Sequence, residues 1–382
     1  MIDGRKNIGR RLGDTTIDRL IQVDLEVAEE INYSLLHNNR PLLNKLTLTK
    51  LVAGPVDEIT VLVELYVGAE SYPYRYTIPV LNEVQVPLSA QVKIPLTANL
   101  PRSLHERVQS AVYVKVTCGP RTAFEDTRRV TLIPVDEWLD DTNNNPWLPS
   151  FVLPRDPVIL KIINASRRYL IGIIDDPSAG FDGYQQATEG AVDRQVQAIW
   201  TALVNEYRLQ YINPPPAYSE QTQRLRTPSE IVASNTGTCI DLALLLASCL
   251  EYIGIYPVVV LLTGHAFVGY WRSDTVHDDF MAVTTVPSTV PAVGDPATRD
   301  AGLPYVDPYG WRLTKMSYAE IMAYVTSGHL VMLEATYLTG AYSFKDAKTE
   351  GRANLRSRSE FDSLLDIQCA RALSVTPLPM IS

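Results

Sequence analysis

Between residues 21 and 137 hydrophobic residues recur at every second position. Ile21, Val23, Leu25 and Val27 alternate with polar neighbours, as do Val112, Val114 and Val116. That period puts alternate side chains on opposite faces of an extended chain. Further strands are expected at 46–52, 59–67, 83–87, 91–94 and 128–133, with turn residues between them. Short strands in this arrangement predict an antiparallel β-sandwich. Cys118 falls at a strand end and reads as a small core or edge residue. His37 and His105 stand alone and read as structural.

After residue 137 the pattern changes. The run from Trp138 to Pro146 gathers Asp, Asn and Pro and reads as a connector. The Pro-rich, aromatic stretch 147–157 is expected to pack along the second domain. Three- and four-residue spacing of apolar positions predicts helices over 158–174 and 191–211, the second stopped by Pro214-Pro215-Pro216. At Thr227-Pro228-Ser229-Glu230 a threonine can cap, a proline suits the first helical position and a glutamate can close a capping box. Asn235 and Thr236 favour a second cap, and Gly237 permits close backbone approach ahead of Thr238-Cys239-Ile240-Asp241. The apolar run 242–250 reads as a core helix ended by Gly254. Buried strands are expected at 256–262 and from Gly264-His265 to 271. Then comes a long irregular loop over 272–310, a helix over 317–327 and a strand over 330–338. On that strand Met332, Glu334 and Thr336 share a face, and a final helix is expected over 361–371.

The organisation predicted is an N-terminal arm over 1–20, a β-sandwich over 21–137, a linker over 138–157 and an α+β domain over 158–382. A chain of 382 residues with 46% hydrophobic and 20% charged residues suits a folded protein of one large or two ordinary domains. The net charge of −9 argues against a protein built to neutralise phosphates, so direct nucleic-acid binding is not expected. Arg5, Lys6, Arg10 and Arg11 read as a solvated arm, or as a docking segment for an acidic partner. Residues 1–16 contain no apolar run of a signal peptide, and no stretch is greasy enough to span a membrane. The 4 cysteines form no CxxC pair, so no metal site, cofactor or redox dithiol is expected, and a reduced cytoplasmic protein is the reading.

The candidate chemistry centres on Cys239. A cysteine at a helix N-terminus sits at the positive end of the helix dipole, which favours thiolate. A histidine on an adjacent strand, His265, can take the thiol proton. Glu334 is a lone acid in an apolar run, needs a partner if buried, and a histidine would serve. Asp241 reads as an acid favoured by the helix dipole. Cys249 reads as core. His277, Asp278 and Asp279 form a loop cluster that could hold a metal only weakly, with Asp279 a rival third acid. His329 is expected to face solvent.

The order of cysteine on a helix start, histidine on the next strand pair and acid on a later strand resembles the transglutaminase-like branch of the papain-type fold. The sequence is similar there at Phe151-Val152-Leu153-Pro154-Arg155-Asp156-Pro157, Gly183-Tyr184-Gln185, Gln223-Arg224-Leu225-Arg226-Thr227-Pro228 and Gly264-His265-Ala266-Phe267. It resembles a module at the front of large bacterial helicase-type proteins, over nearly the whole chain. Glu334 departs from the aspartate of that family. The resemblance implies a cysteine hydrolase (protease, peptidase or amidase, with transfer to an amine as a variant) acting on a protein or peptide through a thioester. Cys239 would be nucleophile, His265 base and acid, and Glu334 the orienting carboxylate. The Cys239 N–H would be one oxyanion donor and Gln223 or Gln185 a second. It also implies a separately encoded helicase-type partner. The alternative is a catalytically silent binding module of the same fold that docks a partner protein.

Overall fold

The computed structural model describes residues 20–31, 33–38, 42–94, 106–139, 145–186, 188–213, 222–284 and 318–379. His105, Pro214-Pro215-Pro216 and nearly all of the N-terminal arm lie outside them. The protein is mixed α+β, and its described residues form two compact units: those within 20–31, 42–94 and 107–132 make one, and those within 33–38 and 133–379 the other.

In the first unit the two-residue period builds two sheets. Strands β1 (Ile21–Val27), β3 (Leu43–Lys50) and β6 (Gln85–Pro87) form one, in the order β1-β3-β6. The other has five strands, ordered β2-β8-β7-β4-β5: β2 (Glu30–Ile31), β4 (Val56–Val67), β5 (Glu70–Leu81), β7 (Val108–Cys118) and β8 (Arg121–Leu132). Ile59, Val61, Val63 and Leu65 of β4 face inward and are fully buried, as are Val112, Val114 and Val116 of β7. The alternation of these residues therefore marks one buried face. Strand β5 is absent from the sequence reading because Pro73 and Pro79 interrupt its pattern. It lies at the sheet edge, where a missing N–H costs no ladder bond. Residues 91–94 are not a strand; a 3₁₀ turn at Ser89–Gln91 occupies the start of that stretch.

The second unit begins with helix α1 (Tyr33–His37), whose His37 ring lies 2.9 Å from the Pro377 carbonyl oxygen. Strand β9 (Glu137–Leu139) comes next, paired with β11 (Thr222–Arg224). The stretch expected to be a connector is built into this unit from residue 145. Trp147, Leu148, Phe151 and Val152 are buried, and the Arg371 guanidinium donates to the carbonyls of Pro149 and Val152 and to Glu251. Helices α2 (Pro157–Ile174) and α3 (Glu189–Ala202) match their apolar spacing. The second is shorter than its pattern suggests: one π-helical turn, Leu203–Tyr207, leads to Arg208 in the left-handed region, and β10 (Gln210–Tyr211) pairs in parallel with β12 (Thr236–Gly237).

The central sheet is antiparallel, ordered β15-β14-β13-β16, from β13 (Pro257–Leu262), β14 (His265–Trp271), β15 (Leu330–Leu333) and β16 (Phe361–Asp366). Helix α4 (Pro228–Ser234) has its full capping box, and α5 (Cys239–Tyr252) packs on β14. Every residue from Ile240 to Leu250 is buried, so α5 is a core helix rather than an amphipathic one. Three expectations differ here. Residues 274–284, read as loop, form helix α6 (Asp274–Thr284). The strand read over 330–338 ends at Leu333, where Glu334 caps a 3₁₀ turn. The helix read over 361–371 is strand β16 followed by the short helix α9 (Ile367–Ala372), since a brief apolar run does not distinguish the two and pairing with β13 decides it. Helices α7 (Tyr318–Ser327) and α8 (Phe344–Asn354) flank β15. No helix among the described residues is long and apolar enough to cross a membrane.

Candidate functional site

Three local devices aim Cys239. Asn235 ends α4 in the left-handed conformation, turning the chain into β12. Thr238, rather than Asn235 or Thr236, caps α5: its hydroxyl accepts the Asp241 N–H at 3.3 Å, and its own N–H donates to Asp241 Oδ2 at 3.0 Å. Cys239 is therefore the first residue of the helix, where its N–H has no intrahelical acceptor. Asp241 does more than favour the dipole. It is fully buried and accepts from the Arg226 N–H and Nη1, each at 2.9 Å, which ties the helix start to the chain before α4. Cys239 is half-buried, whereas Cys118, Cys249 and Cys369 are buried, and burial pushes the Cys249 thiol up.

Sheet register brings the other two groups together. Val268 of β14 pairs with Leu333 of β15, so Glu334 falls beyond the last pair, close to the start of β14. The His265 Nε2 lies 2.8 Å from Glu334 Oε2. Phe267 stacks beside the imidazole, two residues along the same face. Gly269 allows this closeness: a Cβ there would sit 2.7 Å from Met332 Sδ and the Val331 oxygen.

The carboxylate of Glu334 is 3% exposed and saturated with donors. Oε1 accepts the Thr336 N–H at 2.8 Å and hydroxyl at 2.6 Å; Oε2 accepts the Asn354 amide at 2.6 Å as well as the imidazole. Burial alone would raise its pKa. The hydrogen bonds from His265 and Thr336 and the imidazolium charge overcome that and hold it below the usual carboxylate value. The His265 pKa is raised to about 10, first by the hydrogen bond to Cys239 and then by the bond to Glu334, against the pull of burial. Because Nε2 is engaged by the carboxylate, Nδ1 is the nitrogen that remains for the sulfur. Cys239 lies beside the imidazole, and the imidazole is hydrogen-bonded to Glu334.

Tyr211 joins this group with no signal of its own in the sequence. Its hydroxyl lies near Cys239, and its pKa is raised by burial and then by the nearby Cys239 and Glu334. The helical spacing runs on through residue 211 and conceals β10, whose Tyr211 pairs with Gly237, two residues before Cys239. Asn354 is equally hidden, since nothing in its neighbours marks it. Of the two glutamines considered as donors, Gln185 lies beside Tyr252, Ile253 and Gly254, at the far end of α5. A helix of that length puts it about 20 Å from Cys239, out of reach. The turn there is structural: buried Gln195 accepts the N–H groups of Asp182 and Gly183, each at 3.0 Å. Gln223 lies on β11, three residues before Arg226, and its buried Nε2 has no partner among the described residues.

The remaining expectations resolve differently. His277 is not in a metal cluster: it faces inward from α6 against Asp366, while Asp278 and Asp279 face outward. Asp279 is accordingly no rival to Glu334. His329 does not simply face solvent; its Nδ1 lies 2.9 Å from Glu189. Among the described residues no group of three or more His, Cys, Asp or Glu side chains is arranged to hold a metal ion. In comparison with known proteins, the sequence matches no family model and no curated protein.

Proposed function

We propose that the protein is a cysteine-dependent acyl-transfer enzyme of the transglutaminase-like, papain-type kind, with a β-sandwich ahead of it, hydrolysing an amide of a protein or peptide or passing its acyl group to an amine. The observation that carries the reading is the succession from the half-buried Cys239 through His265 to the saturated carboxylate of Glu334.

The working resting state is a thiolate–imidazolium pair, because Cys239 opens helix α5 at the positive end of its dipole and the partly exposed imidazole beside it is backed by a buried carboxylate. The sulfur attacks the acyl carbon and the carbonyl π electrons move to oxygen. The Cys239 N–H and the Tyr211 hydroxyl are the donors for that oxyanion. As the C–N bond breaks, His265 gives its proton to the leaving amine and a thioester remains. His265, now neutral, takes a proton from water or an acceptor amine as it attacks the thioester. The tetrahedral intermediate collapses, expelling the thiolate and restoring the ion pair. Glu334 stays ionised throughout and stabilises the imidazolium.

A silent module that docks a helicase-type partner is the alternative. It gives no reason for four donors to converge on a carboxylate behind a partly exposed histidine. The test is acylation by an activated ester. With p-nitrophenyl acetate the full chain should give a stoichiometric burst and an acetyl group that peptide mapping places on Cys239, absent from Cys239→Ala. A native protein with no acetyl on Cys239 would refute the reading.

A further inference from the structure

The geometry points to Asn354 as a positioning residue for this chemistry: its amide fixes Glu334 in the rotamer and the ionised form that His265 needs. The inference rests on the proposed thiol chemistry. A glutamate has one more rotatable bond than an aspartate, so more freedom must be removed to aim its carboxylate. Thr336 anchors Oε1, but it is a near neighbour on the same stretch of chain. Oε2, the oxygen facing the imidazole, is fixed from another element. Asn354 Nδ2 lies 2.6 Å from it, and a carboxylate only accepts, so the amide must present its NH₂.

Helix α8 is built to deliver that amide. Ala347, Gly351 and Asn354 succeed one another at four- and three-residue steps and so line one face. The Ala347 oxygen accepts the Glu334 N–H at 3.0 Å. Gly351 has no side chain, which lets the helix close on β15: a Cβ would sit 2.6 Å from the Leu333 nitrogen and the Met332 carbonyl carbon. One turn further along the same stripe, Asn354 reaches the carboxylate. The stripe that grips the end of β15 also holds the orienting group of the site.

The chemical consequence is a pH effect. A donor to the ionised form keeps a carboxylate deprotonated, and a like charge in its place does the opposite. Protonating Glu334 removes the support of the imidazolium, and with it the thiolate. The experiment is the rate of iodoacetamide alkylation of Cys239, resolved by peptide mapping, in the full chain from about pH 3 to 8. Asn354→Asp should move the acid limb up by about one pH unit, roughly tenfold slower at the acid end. Asn354→Ala should move it in the same direction by less. The shift along the pH axis separates positioning from a general loss of structure. Slow alkylation of the buried Cys249 and Cys369 reports that each variant is folded, and if the aspartate variant is not, the alanine variant decides. Variant profiles that superimpose on the native one would overturn the role of Asn354. A native Cys239 that reacts no faster than an unfolded cysteine would instead overturn the thiol reading.

Discussion

Two of the histidine–carboxylate pairs in the second unit, His265–Glu334 and His277–Asp366, have a buried acid, and they differ in what lies on the far side of the ring. His265 meets Glu334 at 2.8 Å, is 30% exposed, and has a half-buried thiol beside it. His277 meets both oxygens of Asp366 at 3.2 Å, is 1% exposed, and has a buried Nδ1 with no partner among the described residues. Its surroundings are the rings of Tyr256, Trp271 and Phe280. Asp366 is also committed to structure: it accepts the Trp271 indole N–H at 2.7 Å and caps α9 through the Cys369 N–H at 2.8 Å. A histidine held by an acid is therefore not in itself a site. It becomes one when the second nitrogen faces a group that can exchange a proton and solvent can reach it. The same contrast separates two cysteines of one helix, Cys239 at its open end and Cys249 in its buried middle.

The largest expected effect separates the two pairs by chemistry. His265→Ala should slow the acylation burst by about 10²–10⁴-fold, the usual contribution of a positioned acid–base group. His277→Ala should leave the burst per folded molecule unchanged. Equal losses in both would erase the distinction.

Stability should invert the order. His277→Ala leaves a buried carboxylate without one partner and should cost about 3–5 kcal/mol, seen as a lower midpoint in urea at unchanged slope. His265→Ala should cost clearly less, because its ring is partly solvated.

Gly351→Ala should fall between a folding and a functional change. The added methyl must push α8 off β15, an overpacking cost of about 1–3 kcal/mol, and should also slow Cys239 alkylation by moving Asn354. Loss of stability with no change in alkylation would show that the helix position does not reach the site.

The smallest effect is a pH dependence. His265 has its pKa raised from 6.5 to about 10, so its stabilising contribution is complete below pH 6.5 and lost as pH rises through about 10. The Glu334 pKa is lowered from 4.5, so its contribution is complete above pH 4.5 and lost as pH falls through the folded value. The difference in melting temperature between native and His265→Ala should be widest between these limits and close toward pH 10. A difference that grows with pH would contradict the assignment.

How much of this is legible in the sequence depends on the range of the interactions. Cys239 and His265 are set by local signals: a cap and a helix start, then a glycine turn into a strand. Glu334 shows as one acid in an apolar run. Tyr211 and Asn354 arrive through pairing of distant segments, β10 with β12 and α8 with β15, and neither carries a local mark. The first sheet shows the same limit. Alternation reveals the inner strands β4 and β7, whose faces differ in burial, but not β5, whose edge position tolerates prolines that disguise it. The buried pair at His277 is disguised as a loop cluster because the acidic residues next to it in sequence point away, and its partner lies far along the chain on β16.

The central claim is that the imidazole of His265 keeps the sulfur of Cys239 ionised. It is tested most directly by the rate of iodoacetamide alkylation at that cysteine near pH 6, in native protein and in His265→Ala. An ordinary thiol is roughly one part in three hundred ionised there, so removing the imidazole should slow Cys239 by about a hundredfold. Equal rates in the two proteins would contradict the account.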